Sequence, residues 1–290
     1  MIFFATYFTF TLMHEKTLAG DAALLRYHAY CQTLLFVFVA AIPAYVTKVM
    51  WWVDFAWPLG LCYMAVFFYV QNNSKGIRCS IICSLLFLHG FRMVVGAVYA
   101  IISGSWTTTK DLPRYDYQRL RSQILQNNWQ VAMQIDILIQ LLANTSFLVV
   151  PIYFISNSSF EFSIIEVGAL VLWIFGFIWE NIADYTKLLF IRKNANKNIV
   201  CNIGLWRYCR HPNFFGEWLL WLSYAFGAFV NLPGIRDDGK YIFGSGYIIM
   251  CTPLLMYYCL VYYTGAVPAE YYSIQKRPDY REYKRSTNMF

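Results

Sequence analysis

The sequence has few charged residues, and this scarcity excludes several classes of protein. Lys, Arg, Asp and Glu make up 13% of the 290 residues, whereas about a quarter is usual in soluble globular domains. Hydrophobic residues reach 59% and aromatic residues 20%. A water-soluble globule and a disordered chain both need far more polar surface than this sequence supplies. The composition therefore predicts an integral membrane protein.

The chain also lacks a Cys-x-x-Cys motif, although it contains eight cysteines. Several of these cysteines stand inside apolar runs, where a thiol behaves as a small hydrophobic side chain. We therefore expect no metal site, no redox motif and no disulfide-stapled secreted module. The first residues lack the cationic start and the small-residue cleavage site of a secretory signal, so we expect none. No nucleic acid partner is expected either.

Seven apolar runs are long enough to cross a bilayer, whose core needs about 20 residues per helix. Helix is the only open-chain structure that satisfies every backbone group in lipid. The sequence therefore predicts an all-α integral membrane bundle of about seven transmembrane helices. We expect an interfacial segment over 1–24 and a single membrane domain over 25–290. The predicted spans are 25–46, 51–70, 79–103, 133–155, 162–183, 214–231 and 243–265.

The basic residues are distributed unevenly between the two sides that seven spans would define. Sixteen of the 23 Lys and Arg residues fall on the side of the 104–132 loop, the 184–213 loop and the C-terminus. Six fall on the other side, and Arg92 lies inside a span. Cytoplasmic or matrix loops usually hold the excess of Lys and Arg, so the C-terminus is predicted on the positive side.

The segment 187–213 concentrates positive charge more than orientation in a membrane requires. It carries six cations, and no carboxylate stands between Asp184 and Glu217. Aromatic and amide side chains are interleaved with these cations immediately before a helix, whose N-terminus favours an anion. Arg offers phosphate a fixed fork of donors. Contact with anionic lipid head groups is the alternative, but the mixture of side chains favours a dinucleotide.

The stretch GLWRYCRHPNFFGEW, residues 204–218, closely resembles the signature of the steroid 5α-reductase superfamily. Other stretches agree in the same order: VDFAWPLG, HGFRM and DLPRYDYQRLR before it, and KRPDYREYKRSTNMF at the end of the chain. The resemblance covers the chain from about residue 50 onward. It implies a seven-helix membrane reductase that binds NADPH in its C-terminal half, 156–290. Helices within 25–155 would face an apolar steroid, sterol or other lipid substrate.

The resemblance also implies which residues line the cofactor cavity. They are Asp184, Lys187, Arg192, Asn196, Lys197, Trp206, Arg207, Tyr208, Arg210, His211, Asn213, Glu217, Arg281 and Tyr283. Reduction of a conjugated double bond also needs a protein donor beside the substrate, because the cofactor supplies only the hydride. Candidates for this catalytic role are Tyr115 and Arg92, with Asp54 and Asp111 as further polar residues near span ends. Arg92 stands out, since a cation within a span is usually paired or faces a cavity.

Five positions depart from the superfamily pattern. Phe214 stands where a Tyr is usual, Cys209 replaces a Ser, and His89 replaces a Trp. Asn202 and Ile203 replace an Asp-Thr pair. The missing hydroxyl at Phe214 matters most, because a buried hydrogen bond contributes on the order of 1 kcal/mol to binding.

Two other functions stay open on the sequence. One is a non-catalytic structural subunit of a larger membrane complex that retains the reductase fold, for example in the mitochondrial inner membrane. The other is methyl transfer from S-adenosylmethionine, because isoprenylcysteine carboxyl methyltransferases share the Arg-His-Pro core. Asn213 argues for the reductase branch, since those enzymes usually lack Asn after the Pro. We expect membrane lipids as neighbours, and either the endoplasmic reticulum or the mitochondrial inner membrane as the location.

Overall fold

The described part of the chain is a bundle of α-helices. The computed structural model describes residues 19–72, 76–158, 161–194, 197–232 and 243–290, without the side chains of 19–22 and 243–248. Residues 1–18 of the predicted interfacial segment lie outside this part. The helices are α1 Ala19–Phe36, α2 Ile42–Thr47, α3 Trp52–Gln71, α4 Ile77–Ile102, α5 Pro113–Ile124, α6 Trp129–Thr145, α7 Val149–Ser156, α8 Ile164–Lys193, α9 Pro212–Phe229, α10 Phe243–Tyr258, α11 Ala266–Lys276 and α12 Tyr280–Ser286.

Within the residues that the structure describes, six helical stretches are long and apolar enough to cross a membrane, as judged by length and composition. The prediction of an all-α integral membrane bundle is thereby confirmed. Wider π-helical turns at Val37–Ala41 and Cys259–Tyr263 lie within two of these stretches. The six are Ala23–Thr47, Trp52–Gln71, Ile77–Ile102, Trp129–Ser156, Ile164–Lys193 and Ile249–Lys276.

The predicted span over 214–231 corresponds to α9, which is not one of these six. Most residues of α9 are buried against neighbouring helices. A helix enclosed by protein needs less apolar surface than one that faces lipid, and α9 accordingly carries the buried carboxylate of Glu217.

Local capping sequences determine helix ends that apolar runs place only roughly. The Ser163 side chain accepts from the backbone N–H of Glu166 at 3.2 Å, and Glu166 accepts from the Ser163 N–H at 3.0 Å. This reciprocal capping begins α8. At its other end α8 continues past the predicted limit of 183, and Arg192 and Lys193 in its last turn complement the helix dipole.

Two segments differ from the predicted layout. The predicted span over 133–155 is two helices, α6 and α7, with a break at 146–148. The predicted loop over 104–132 contains α5, which begins with Pro113 in its first turn. Pro is well suited to the first turn of a helix, because that turn has no use for its missing N–H.

Glycines allow the helices around the site to approach closely. A Cβ atom added to Gly216 of α9 would lie 2.6 Å from the Glu180 Cβ and 2.9 Å from the Gly176 carbonyl oxygen of α8. One added to Gly90 of α4 would lie 2.6 Å from the Pro58 carbonyl oxygen of α3. Because glycine has no Cβ atom, Gly90 lets α4 pack closely against α3, and Gly216 lets α9 pack closely against α8.

Candidate functional site

The turn before α9, residues 204–211, and the C-terminal tail, residues 280–290, are joined by backbone hydrogen bonds. The Arg210 N–H donates to the Asn288 carbonyl at 2.9 Å, and the His211 N–H donates to the Met289 carbonyl at 3.3 Å. The Tyr283 hydroxyl donates to the Trp206 carbonyl. The turn and the tail are therefore in direct contact, although they are more than 70 residues apart in sequence.

Glu270 of α11 is the ionic centre of this junction, and it is only 1% exposed. Its carboxylate accepts from Arg210 Nε at 2.7 Å and from His211 Nε2 at 3.0 Å. Lys284 Nζ of α12 lies 2.8 Å from its other oxygen. Arg210 also donates to the carbonyls of Lys284 and Thr287. Arg210 thus binds Glu270 through Nε and the tail through Nη1, and His211 binds Glu270 through Nε2.

Burial keeps His211 uncharged. It lowers the pKa of His211 below its ordinary value of 6.5, against the opposing effect of Glu270. A neutral ring that donates from Nε2 to a carboxylate has Nδ1 as an acceptor. The ring also stacks on Phe214, with centroids 5.3 Å apart and an interplanar angle of 4°.

A cavity of about 260 Å³ lies between the turn and the tail. Lys187 of α8 and Arg277 after α11 contribute positive charge to it. Lys187 Nζ lies 4.2 Å from the centre of the Trp206 ring, whose indole N–H donates to the Ala183 carbonyl at 2.9 Å. The other lining residues are Val200, Cys201, Arg210, His211, Asn213, Phe214, Ala269, Ser273, Tyr280 and Tyr283. We call this space the cationic cavity.

A smaller cavity of about 100 Å³ adjoins the cationic cavity. The two share Lys187, Cys201 and Arg277, and the smaller one adds Lys276. Besides Arg210, which is paired with Glu270, the cations Lys187, Lys276 and Arg277 line the two adjoining cavities and make this end of the site suitable for an anion.

A third cavity, of about 460 Å³, lies between the helices and shares Asn213 and Phe214 with the cationic cavity. We call it the interhelical cavity. Most of its wall is apolar, and its polar residues come from several helices. They are Asp54 of α3, Arg92 of α4, Arg114 and Tyr115 of α5, Gln140 of α6, Glu180 and Asp184 of α8, Asn213 and Glu217 of α9, and Tyr263 and Thr264 after α10.

Asp54, Arg114 and Tyr115 form one hydrogen-bonded group on this wall. The Tyr115 hydroxyl donates to one carboxylate oxygen of Asp54 at 2.5 Å, and Arg114 donates to the other. Burial and the charge of Asp54 raise the pKa of Tyr115 well above its usual value near 10. The hydroxyl therefore keeps its proton at physiological pH and can act as a donor.

Arg92 is paired, as expected of a cation within a span. It donates to Glu180, and to Asp184 at 2.9 Å. One oxygen of Glu180 is buried without a hydrogen-bond partner, and so is Oδ1 of Asn213. Both residues line the interhelical cavity, where a ligand with N–H or O–H groups could satisfy them.

Two residues that depart from the superfamily pattern, His89 and Cys209, are hydrogen-bonded. His89 Nε2 lies 2.8 Å from Glu217, which also accepts from the Trp221 indole at 2.7 Å. His89 thereby offers an N–H where a Trp would offer its own. The Cys209 thiol donates to the Met289 carbonyl at 3.0 Å, as a Ser hydroxyl would.

The structure brings together some of the predicted site residues and separates the rest. Lys187, Trp206, Arg210, His211 and Tyr283 line the cationic cavity. The residues on the interhelical cavity are Asp184, Glu217, Arg92, Tyr115 and Asp54, with Asn213 on both.

Five predicted residues lie away from the three cavities. Arg192 donates to the Tyr99 hydroxyl, and the other four are exposed: Lys197, Arg207, Tyr208 and Arg281. Asn196 lies outside the described residues.

Asp111, proposed from sequence as a polar partner for the substrate, has a structural role. It is buried and accepts from the Met50 N–H at 2.7 Å and the Leu112 N–H at 3.1 Å. These bonds fix the chain before α5, which carries Arg114 and Tyr115.

The sequence did not indicate Arg277 and Tyr280 as site residues, and both line the cationic cavity. It also did not indicate that Gln140 lines the interhelical cavity. Arg277 stands in the same RPDYREY stretch as Arg281. The N–H groups of the Gln140 side chain are buried without a partner. A polar residue within an apolar run was the available signal in the sequence. Among the described residues, no group of three or more His, Cys, Asp or Glu side chains is placed to hold a metal ion.

Comparison with known proteins gives a family but no function. Neither the curated proteins nor the solved structures include a match to this chain. A family model described as "Protein of unknown function (DUF1295)" matches residues 37–287, which include every helix of the site. The chain therefore belongs to the DUF1295 family.

Proposed function

We propose that this protein is a membrane-embedded reductase that transfers hydride from NADPH to a conjugated double bond of a steroid, sterol or other lipid. The observation that carries the proposal is the junction of two unlike cavities at Asn213 and Phe214. One cavity is cationic and lies beside the tail. The other is mostly apolar and enclosed by helices. A reductase of this kind needs both, with its cofactor and its substrate meeting where they join.

The cationic side fits a phosphorylated cofactor. Lys187 and Arg277 would bind phosphate groups, and the Trp206 and Tyr280 rings offer aromatic surface beside them. The unpartnered Oδ1 of Asn213 would accept from the carboxamide of the nicotinamide ring. NADPH supplies the hydride when it is bound. The superfamily resemblance of residues 204–218 supports the same assignment.

The interhelical side fits the acceptor. The Tyr115 hydroxyl has one proton, which the structure directs to Asp54. On substrate binding this proton would turn to the carbonyl oxygen of a conjugated ketone and stabilise the negative charge that develops there. Asp54 holds Tyr115 in position and is itself held by Arg114. The apolar wall keeps water from the reacting atoms, which strengthens these interactions. The membrane of the endoplasmic reticulum or the inner membrane of mitochondria would provide such a lipid.

Titration of purified protein in lipid nanodiscs with NADPH tests the proposal. We expect NADPH to bind to the unmodified protein and Arg277→Met to weaken that binding about tenfold or more, since a charge-assisted hydrogen bond contributes about 1.5–3 kcal/mol. Arg281→Met is the matched control, because this exposed Arg lies four residues further along the chain, in α12, and does not line the cavity. This variant should bind NADPH normally.

Three outcomes would contradict the proposal. They are an absence of NADPH binding, an equal effect of the two Arg variants, and binding of S-adenosylmethionine in place of NADPH. The last of these would favour a methyltransferase.

A further inference from the structure

Gln140 of α6 presents an unused hydrogen-bond donor to the interhelical cavity. It lines that cavity, and its Nε2 atom is buried without a hydrogen-bond partner. The other two residues of α6 on this wall, Ile139 and Ala143, are apolar. Most buried N–H groups in proteins are paired, so an unpaired one on a cavity wall indicates a ligand with an accepting oxygen.

The position of Gln140 relative to α3 follows from two contacts that fix the register of the helices. A Cβ atom added to Gly60 of α3 would lie 3.2 Å from Nδ2 of Asn144 in α6. At the end of α3, Asn72 Nδ2 donates to the Ser156 carbonyl of α7 at 2.7 Å. Both pairs are 84 residues apart in sequence, so α3 runs parallel to α6 and α7 with a constant register.

On this register, Gln140 and Asp54 lie at nearly the same level of the bundle. With a rise of about 1.5 Å per residue, Asp54 is about 9 Å before Gly60 along α3. By the same measure, Gln140 is about 6 Å before Asn144 along α6, so the two levels differ by about 3 Å. Asp54 accepts from the Tyr115 hydroxyl, and all three side chains line the interhelical cavity. The Gln140 amide and the Tyr115 hydroxyl therefore face one cavity from about the same level.

The two donors differ in their present hydrogen bonds. The Tyr115 proton is directed to Asp54, so it must turn to reach a substrate. The N–H groups of Gln140 have no partner to leave. A donor that is already in place where negative charge develops costs no reorganisation at the moment of reaction.

We propose that Gln140 and Tyr115 form an oxyanion hole, in which both donate to the carbonyl oxygen of a conjugated ketone. When hydride attaches to the β-carbon, the electron pair of the carbon–carbon double bond moves toward the carbonyl carbon and the oxygen becomes negative. A proton that comes from solvent then reaches the α-carbon and restores the carbonyl. Gln140 stabilises the negative oxygen between these steps. The inference rests on the proposed function for the reaction, but not for the binding of the ketone.

Infrared spectroscopy of a bound ketone tests this contact without turnover. The probe is a 3-keto-4-ene sterol with ¹³C at its carbonyl, bound to protein in nanodiscs without NADPH. Gln140→Met keeps the length of the side chain and removes its N–H groups. Because a hydrogen bond lowers the stretching frequency of a carbonyl, we expect a higher frequency in Gln140→Met than in the unmodified protein.

Gln134→Met is the matched control, because it makes the same substitution on α6. Gln134 donates to the Ala41 carbonyl at 3.1 Å and does not line the interhelical cavity. The carbonyl frequency in this variant should equal that in the unmodified protein.

Affinity and turnover separate a hydrogen bond from a packing contact. We expect Gln140→Met to weaken binding of the ketone about threefold to tenfold, as loss of one hydrogen bond does. Affinity for the same sterol with CH₂ in place of the carbonyl should not change. The turnover number with NADPH should fall about a hundredfold or more, because an oxyanion-hole donor binds the transition state more strongly than the ground state.

An equal carbonyl frequency in Gln140→Met and the unmodified protein would overturn the inference. Equal losses of affinity for the two sterols would also overturn it, because Gln140 would then only shape the cavity. Failure of the unmodified protein to bind the ketone would do the same. A frequency shift without oxidation of NADPH by the unmodified protein would contradict the proposed reductase activity and leave the ketone contact supported. Normal turnover without a shift would have the opposite meaning.

Discussion

Tyr115→Phe is expected to lower turnover of a conjugated sterol ketone about a hundredfold or more, because a positioned proton donor contributes about 10²–10⁴-fold. The Tyr115 ring is fully buried, and its hydroxyl points to Asp54, with 2.5 Å between the oxygens. Removing the hydroxyl leaves the packing of the ring intact and takes away the donor. Steady-state oxidation of NADPH, followed at 340 nm in nanodiscs, measures the change.

Tyr117→Phe is the control for this prediction. Tyr117 lies on the same helix but packs against Tyr271, with ring centroids 4.9 Å apart, and does not line the interhelical cavity. Its variant should keep normal turnover. The affinity for NADPH should be the same in both variants, because the proposed phosphate-binding residues Lys187 and Arg277 line the cationic cavity and not the interhelical one. Unchanged turnover in Tyr115→Phe would remove Tyr115 from the chemistry.

Glu270→Gln is expected to weaken strongly the attachment of the C-terminal tail to the turn before α9. Glu270 is the common partner of Arg210, His211 and Lys284. Arg210 is only 7% exposed, so the substitution leaves a buried cation without its counter-charge. Breaking a buried ion pair from one side costs about 3–5 kcal/mol. We expect residues 280–290 to leave the turn and NADPH affinity to fall at least tenfold.

Hydrogen exchange of the 280–290 segment measures this release directly. Glu282→Gln removes the same charge from α12 itself, but Glu282 is exposed, so exchange and NADPH affinity should stay as in the unmodified protein. Protection of the tail that survives Glu270→Gln would mean that the other hydrogen bonds between the turn and the tail hold it without Glu270.

The helical membrane architecture can be predicted from the sequence, and so can the meeting of the segment before α9 with the C-terminal tail. Apolar runs of sufficient length leave helix as the only solution in lipid, so α3 and α4 fall close to their predicted positions and α8 begins close to its own. Seven spans also return the segment before α9 and the tail to the same side, where the structure has them in contact.

The sequence did not show which of the predicted site residues line a cavity and which bind other parts of the chain. Arg210 and His211 were predicted to bind the cofactor, yet Glu270 occupies much of their hydrogen-bonding capacity. That pairing depends on the tertiary position of α11, about 60 residues away. Nothing in the sequence distinguishes Arg277 from Arg281, because both are Arg residues of the RPDYREY stretch. Only the direction of the chain between α11 and α12 places the first beside the cavity and leaves the second exposed.

In the proposed function, the cationic and interhelical cavities form a continuous site for a phosphorylated cofactor and a lipid. Electron cryo-microscopy of the protein in nanodiscs with saturating NADPH tests this claim most directly. We expect dinucleotide density that begins beside Lys187 and Arg277 and crosses Asn213 and Phe214 into the interhelical cavity. Empty cavities at saturating NADPH, or a dinucleotide bound elsewhere, would contradict the claim.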